Sequence, residues 1–207
     1  MKLLPSSVDI TRQYCKYSSG ILIIDGKYIK VRGFKRKVPF LYAIDYETHD
    51  ILFGHLVRAE DVASFLKFFL TIKTLNYPLK IVVADDRSSL ALALREVFPY
   101  TPLQLCLNHY LENIRQRLHV RTDQTQKKFF TFLKKEIFGH YQDEAQLNVL
   151  LQRIWVEQCQ NDFIRQEIIR GIKERSQELF AYQQTPNCPN NTNLIELFNL
   201  IHTSMPD

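Results

Sequence analysis

Glycine and cysteine are scarce in this sequence of 207 residues, and each shortage argues against a class of fold. The 6 glycines form no glycine-rich phosphate loop after any apolar segment, which argues against a doubly wound nucleotide-binding domain. The 4 cysteines are widely separated and do not form the framework of a small disulfide-rich protein. We therefore expect reduced thiols.

Long apolar segments are also lacking. No uncharged apolar run reaches the roughly 18 residues that span a membrane, and no apolar stretch follows a basic segment at the amino terminus, as it would in a secretory signal. The hydrophobic fraction is nevertheless 45%, which favours one compact domain, or one domain carrying an insertion, over disorder. We expect an intracellular protein without a membrane partner.

Basic residues exceed acidic ones. The net charge is +5 and the isoelectric point is about 9.0, a moderate bias that favours a polyanionic partner. A run of positive charge is ordinarily a solvated face, so only a nearby catalytic site would favour a nucleic-acid surface. The candidate nucleic-acid-binding residues are Lys27, Lys30, Arg32, Lys35, Arg36, Lys37, Arg115, Arg117 and Arg121.

The first third of the chain predicts three strands and a helix. Residues 21–31 begin as a continuous β-branched apolar run and then alternate, which is typical of a strand that passes from buried to half-exposed. The short apolar segments 38–48 and 51–58 predict two further strands in antiparallel order. Asp61 is a helix start, and apolar residues at helical spacing continue to Leu75.

The remainder of the chain predicts a buried strand and a long helical block. Residues 79–86 are continuously apolar and end in two acids, the pattern of a strand buried on both faces. We then predict a helix capped by Ser88 or Ser89, a short strand, a helical block, a Pro/Asn loop and a last helix, at 90–98, 103–107, 108–182, 183–192 and 193–202. This order matches an α/β fold with a ribonuclease-H-like mixed sheet and a helical insertion before the last helix.

Two aspartates in these strands are candidate metal ligands. Asp25 lies within an apolar strand, where an unpaired carboxylate is costly to bury, so it needs a partner or a cation. If Asp85 ends a neighbouring strand, both carboxylates point to one spot, where a helical glutamate would complete a site for Mg²⁺ or Mn²⁺. Two such ions, roughly 3.5–4 Å apart, serve phosphodiester cleavage. Alternatively, each aspartate is an ordinary turn residue.

Three segments resemble the catalytic motifs of Mutator-type transposases, the bacterial insertion-sequence enzymes and their eukaryotic relatives. They are ILIIDGKYIKV, LKIVVADDRSSLALALREVFPYTPLQLCLNHYLENI and NTNLIELFN. The three acids of that family correspond to Asp25, Asp85 and Glu196. Asp86 stands where the family usually has glycine, so it is either a turn residue or an alternative ligand. We assign the metal to Asp85 because it continues the strand register.

The resemblance implies a transposase catalytic domain that cuts and joins DNA strands at transposon ends. Asp25, Asp85 and Glu196 would hold two Mg²⁺ (or Mn²⁺) ions, and His109 would approach the scissile phosphate as a fourth catalytic residue. The spacing of Cys106 and His109 also suits half of a zinc site. No second pair of ligands is evident in the sequence, so we favour a structural role for Cys106.

The resemblance also implies double-stranded DNA as the partner, at transposon ends and target, and a homodimer or higher oligomer on it. The location would be cytoplasmic and nucleoid-associated in a prokaryote, and nuclear in a eukaryote. We expect residues 1–20 to be a linker or a remnant of an N-terminal DNA-binding region, and 21–207 the catalytic domain, with its insertion at about 110–183. Two alternatives stay open: a truncated or domesticated derivative that binds DNA without catalysis, and another ribonuclease-H-like nuclease.

Overall fold

The structure is a computed structural model that describes residues 6–140 and 143–203, with side chains as far as Asn199. The strands are β1 (Ile21–Ile29), β2 (Val38–Asp45), β3 (Ile51–Leu56), β4 (Ile81–Ala84) and β5 (Leu103–Leu105). The helices are α1 (Ser7–Tyr14), α2 (Val62–Thr74), α3 (Ser88–Val97), α4 (Leu107–Arg117), α5 (Gln124–Glu136), α6 (Glu144–Gln158), α7 (Phe163–Glu174), α8 (Ser176–Leu179) and α9 (Asn193–Thr203), with a 3-10 turn at Ala181–Gln184.

The strands form one mixed sheet in the order β3-β2-β1-β4-β5. The first three strands are an antiparallel meander, and β4 and β5 run parallel to β1. This topology confirms the predicted α/β, ribonuclease-H-like fold. Because β1 and β4 are parallel neighbours, residues near their carboxyl ends meet at the same edge of the sheet.

Strand β4 is shorter than predicted and ends at Ala84. Its partner β5 ends at Leu105, where the Cys106 N–H donates to the Ala84 carbonyl (2.8 Å) as the chain turns into α4. The Arg87 N–H donates back to the Asp85 carbonyl (2.8 Å), which closes a turn. Asp85 therefore lies in the turn directly beyond β4.

Both faces of the sheet are covered. Leu22 and Ile24 of β1 point to the face packed by α2, whereas Ile21 and Ile23 point to the opposite face and pack with Ile195 of α9. Burying one large apolar side chain contributes roughly 1.5–3 kcal/mol. The buried face of α2 consists of Phe65, Phe68, Phe69 and Ile72. The helical spacing in the sequence predicts Phe65, Phe69 and Ile72 of this face. It does not include Phe68, which is fully buried, and it includes Val62 and Leu70, which are exposed.

The predicted helical block between β5 and α9 is divided into several helices. Each of α5, α6 and α7 begins at an aspartate whose side chain accepts a hydrogen bond from the first turn: Asp123, Asp143 and Asp162. Buried residues of these helices belong to the same core cluster as α2 and α3, so the insertion shares one core with the sheet. Among the described residues, no helix has both the length and the apolarity needed to cross a membrane.

Helix α1 lies along β3 at the edge of the sheet. Ser6 and Asp9 form a reciprocal capping box at its amino end. Thr11 is buried, and its hydroxyl contacts the carbonyl oxygen of Leu52 in β3. Residues 7–14 are therefore helical and in contact with the sheet.

Asp45, at the end of β2, is a fully buried carboxylate held only by neutral donors among the described residues. It accepts hydrogen bonds from the Ser19 N–H (2.8 Å) and hydroxyl (2.9 Å), the Tyr77 hydroxyl (2.6 Å), and the N–H groups of Glu47 (3.0 Å) and Thr48 (3.1 Å). Burial raises the pKa of Asp45, but these hydrogen bonds outweigh it and leave the pKa below its ordinary value. The carboxylate joins three segments of chain at this end of the sheet.

We predict that Asp45→Asn lowers the free energy of unfolding at pH 7 by about 3 kcal/mol, because the amide NH₂ faces donors that then lose their acceptor. Since the folded state depresses the pKa, the contribution of Asp45 is complete above the ordinary aspartate value and is lost as the pH falls through the folded pKa. Urea unfolding at several pH values measures both effects. Equal stability of Asp45→Asn and the exposed control Glu96→Gln at pH 7 would contradict the prediction.

Candidate active site

Asp25 lies in β1 opposite Tyr42 of β2, and its side chain is held at both oxygens. Oδ1 accepts from the Gly26 N–H (2.7 Å), and Oδ2 accepts from the Asn199 side-chain amide of α9 (2.9 Å). Burial raises the pKa of the Asp25 carboxyl, and the negative charge of Asp85 acts in the same direction. Asp25 is therefore an oriented carboxylate in surroundings that disfavour its charge.

Asp85 lies beside Asp25 because of the strand register. Ile23 of β1 pairs with Val83 of β4, so the two aspartates, each two residues further on, emerge at the same level of the sheet. Asp25 and Asp85 line the same small cavity, together with Gly26 and the side chain of Arg87. The parallel pairing of β1 and β4 thus brings together two of the predicted site residues.

His109, in the first turn of α4, contacts two of the predicted acids. Its Nδ1 atom lies 2.8 Å from Asp85 Oδ1 and 3.9 Å from Glu196 Oε1. The hydrogen bond with Asp85, followed by that with Cys106, raises the pKa of His109 to about 10. The protonated imidazole therefore puts a positive charge between the carboxylates of Asp85 and Glu196.

Glu196 enters the site from the first turn of α9. The buried hydroxyl of Thr192 lies 3.2 Å from Glu196 Oε1 and 3.2 Å from the Cys106 sulfur. Helix α9 also carries Asn199, which binds Asp25 and lies one helical turn after Glu196. Sequence reasoning missed Asn199, although this helical spacing would have revealed it.

Cys106 is buried directly below His109. Its sulfur lies 3.2 Å from His109 Nδ1, and although burial raises the pKa of the thiol, hydrogen bonds from His109 and Thr192 leave it below its ordinary value. Asp85, Cys106 and His109 offer three possible ligand atoms within 4.8 Å of one another. The choice between a zinc-binding and a structural role for Cys106 stays a prediction.

Asp86 faces away from Asp85. Its carboxylate pairs with the guanidinium of Arg175 at the end of α7. Arg175 also binds Glu178 of α8 (2.8 Å), which in turn binds Arg95 of α3 (2.9 Å). Asp86, which stands where the family motif usually has glycine, thus connects the edge of the sheet to the helical insertion through its ion pair with Arg175.

The nine basic residues singled out in the sequence differ in their surroundings. Lys27 donates to the backbone carbonyl of Asn199 (2.7 Å), and Arg115 forms a two-bond pair with Glu112 (2.6 and 2.7 Å). The other seven are exposed, and five of them follow β1 in the loop that leads to β2: Lys30, Arg32, Lys35, Arg36 and Lys37. This loop, residues 30–37, leaves the sheet about 13 Å beyond Asp25, at a rise of roughly 3.3 Å per residue.

Comparison with known protein families identifies the family of this chain. The model of the family described as "Transposase, Mutator family" matches residues 11–201, nearly the whole chain. The chain belongs to the Mutator family of transposases. The match includes Asp25, Asp85, His109 and Glu196, so all four predicted catalytic residues lie within the transposase region.

Comparison with solved structures and curated sequences adds little to the assignment of this transposase. The HTLV-2 integrase catalytic core domain, solved in complex with magnesium in a trimeric form, matches with a TM-score of 0.37 and 9% sequence identity. The match covers 77% of this chain and 86% of that chain. No similar sequence was found among curated proteins.

We predict that Asp86 and Arg175 are energetically coupled. A double-mutant cycle with Asp86→Asn and Arg175→Gln should give a coupling energy of about 1 kcal/mol, because both side chains are less than a third exposed. The pair Glu167 and Arg170 of α7, in which Arg170 is 55% exposed, is the control and should couple by at most about 0.5 kcal/mol. Thermal unfolding of the four variants of each cycle measures the difference, and equal coupling in the two pairs would contradict the prediction.

Proposed function

We propose that this member of the Mutator family cleaves and joins DNA strands at transposon ends with two Mg²⁺ or Mn²⁺ ions. Asp25, Asp85 and Glu196 are the proposed ligands. The observation that carries the proposal is the convergence of these carboxylates from β1, the end of β4, and α9: Asp25 shares a cavity with Asp85, and His109 Nδ1 contacts Asp85 and Glu196. Residues 21–207 are the proposed catalytic domain, and 1–20 a linker or remnant of a DNA-binding region.

The chemistry of the donor set fits a divalent cation. Carboxylate oxygens are the ligands that Mg²⁺ and Mn²⁺ prefer, and burial already disfavours the charged form of Asp25. When bound, such ions activate a water or a 3′-hydroxyl and stabilise the leaving oxygen during in-line displacement. Asn199 and the Gly26 N–H hold Asp25 in one orientation, and Thr192 supports Glu196, so the ligands are oriented before an ion arrives.

His109 is the proposed fourth catalytic residue. Its Nδ1 holds the Asp85 carboxylate, and its side chain is 44% exposed, so the ring borders both the ligand set and the solvent from which DNA would approach. The positive charge of this imidazole would attract a scissile phosphate. Asp86 does not weaken the catalytic proposal, because its carboxylate pairs with Arg175 and leaves Asp85 in place.

We predict that Asp25→Asn, Asp85→Asn and Glu196→Gln each reduce metal-dependent DNA cleavage about 10³-fold or more, since each loses a ligand whose contribution to transition-state stabilisation is several kcal/mol. Nicking and strand transfer with supercoiled plasmid and MnCl₂ measure this loss. Without metal, the Asp25→Asn protein should melt at an equal or higher temperature, because a buried charge is removed. Wild-type cleavage in any of the three variants would remove that residue from the site.

The proposed DNA surface is the exposed loop 30–37, which leaves the edge of the sheet where the acids lie. Phosphate contacts from such a loop position the duplex without reading its sequence. We propose double-stranded DNA as the substrate, both transposon ends and target, bound by a homodimer or higher oligomer. The charge of the loop would offset the repulsion between DNA and the carboxylates.

We predict that Lys35→Gln/Lys37→Gln weakens duplex binding and reduces the slope of log affinity against log salt by about 2, one counterion for each lost phosphate contact. Lys73→Gln/Lys80→Gln is the charge-matched control, because Lys73 lies in the last turn of α2 and Lys80 precedes β4, at the opposite end of the sheet from Asp85. Fluorescence anisotropy with a labelled duplex at several salt concentrations measures both. Equal slopes for the two double variants would contradict the assignment of the loop.

A further inference from the structure

Glu60, the residue before the N-cap of α2, is a buried carboxylate that the sequence does not distinguish. Its side chain is only 4% exposed. The Oε2 atom pairs with the guanidinium of Arg87 and lies 3.5 Å from the Tyr28 hydroxyl. The Oε1 atom is also buried, yet it has no hydrogen-bond partner among the described residues. One oxygen of this carboxylate is therefore satisfied and the other is not.

The unsatisfied oxygen lies against Gly26, the residue that follows Asp25. A methyl group placed on Gly26 would overlap Glu60 Oε1, so glycine is what allows this carboxylate to approach β1. Gly26 thus has a specific neighbour in this chain, the Glu60 carboxylate. Glu60 lies directly beside the backbone that carries the first proposed metal ligand.

Glu60 also shares its electrostatic surroundings with the proposed ligands. Burial raises the pKa of its carboxyl, Arg87 acts in the opposite direction, and Asp25 and Asp85 raise it further. Arg87 itself lines the cavity shared by Asp25 and Asp85. Arg87 is thus the charged partner of Glu60 Oε2 and also borders the two aspartates, whereas the buried Oε1 atom has no partner among the described residues, which is costly.

We propose that Glu60 is a further carboxylate ligand of the divalent-cation site, through its Oε1 atom. This inference rests on the proposed function, because it adds a residue to the site assigned to Asp25, Asp85 and Glu196. A cation at that site supplies the partner that Oε1 lacks. Arg87 retains Oε2 and holds the side chain in place.

A purely structural role makes a different prediction. If Glu60 served only to orient Arg87, loss of either partner would affect cation binding equally. If Glu60 is a ligand, its loss weakens the binding of the ion, whereas loss of Arg87 removes a nearby positive charge and leaves binding equal or tighter. The two roles are therefore separated by comparing Glu60→Gln with Arg87→Gln.

The test is titration of the full chain with MnCl₂ in the absence of DNA, followed by calorimetry and by the shift in melting temperature. We expect Glu60→Gln to raise the dissociation constant for Mn²⁺ about tenfold and to reduce the Mn²⁺-induced rise in melting temperature. Arg87→Gln should bind at least as tightly as the wild type. Glu112→Gln removes another arginine-paired glutamate, which lines a different cavity from Asp25 and Asp85, and should leave binding unchanged.

Each outcome decides the inference. Wild-type affinity in Glu60→Gln, with binding lost in Asp25→Asn and Asp85→Asn, would overturn the role of Glu60 and leave the proposed function intact. Equal weakening by Glu60→Gln and Arg87→Gln would reduce Glu60 to a positioning residue. If the wild type binds no Mn²⁺, both proposals fail. Should Glu60→Gln not fold, Glu60→Asp keeps the charge but withdraws the oxygen, and wild-type affinity in that variant would equally overturn the role.

Discussion

Repulsion between the carboxylates of Asp25, within β1, and Asp85, directly beyond the parallel strand β4, is the constraint on which the rest of this site depends. The pairing of β1 with β4 puts Asp25 and Asp85 at the same level of the sheet. Burial of Asp25 reduces the solvent screening of the repulsion between the two carboxylates. Neighbouring groups offset part of this repulsion. His109 and Arg87 bring positive charge to it, and Asn199 donates a hydrogen bond to Asp25.

Two other acids, Asp45 and Asp86, are stabilised by hydrogen bonds and an ion pair within the protein. Asp45 is buried completely, but it accepts hydrogen bonds from several donors. Asp86 pairs with Arg175 and thereby connects the sheet to the helical insertion. Asp25 and Glu60 differ from Asp45, because burial outweighs their hydrogen bonds and ion pairs and leaves the pKa of each above its ordinary value. Groups whose pKa is strongly perturbed by burial and neighbouring charge cluster at functional sites, although structural ion-pair networks also perturb pKa values.

Gly26, Cys106 and Thr192, which lie in the segments that resemble the Mutator motifs, each make a different contact around the acids. Gly26 leaves room for the Glu60 carboxylate beside β1. Thr192 links Cys106 at the start of α4 to Glu196 in α9, so the two helices that border the acids share one contact. Cys106 supports His109 from below. Substituting one of these supporting residues would move a carboxylate without removing it.

The sequence by itself determined the order of the five strands and of helices α2, α3 and α9, because hydrophobic periodicity records which face of each strand and helix is buried. It also determined the candidates Asp25, Asp85 and Glu196, through their resemblance to the family motifs. Only the tertiary structure decided where β4 ends, which way Asp85 and Asp86 point, and that Glu60 lies beside Gly26. Those features depend on contacts between residues distant in the chain, and local pattern carries no information on such contacts.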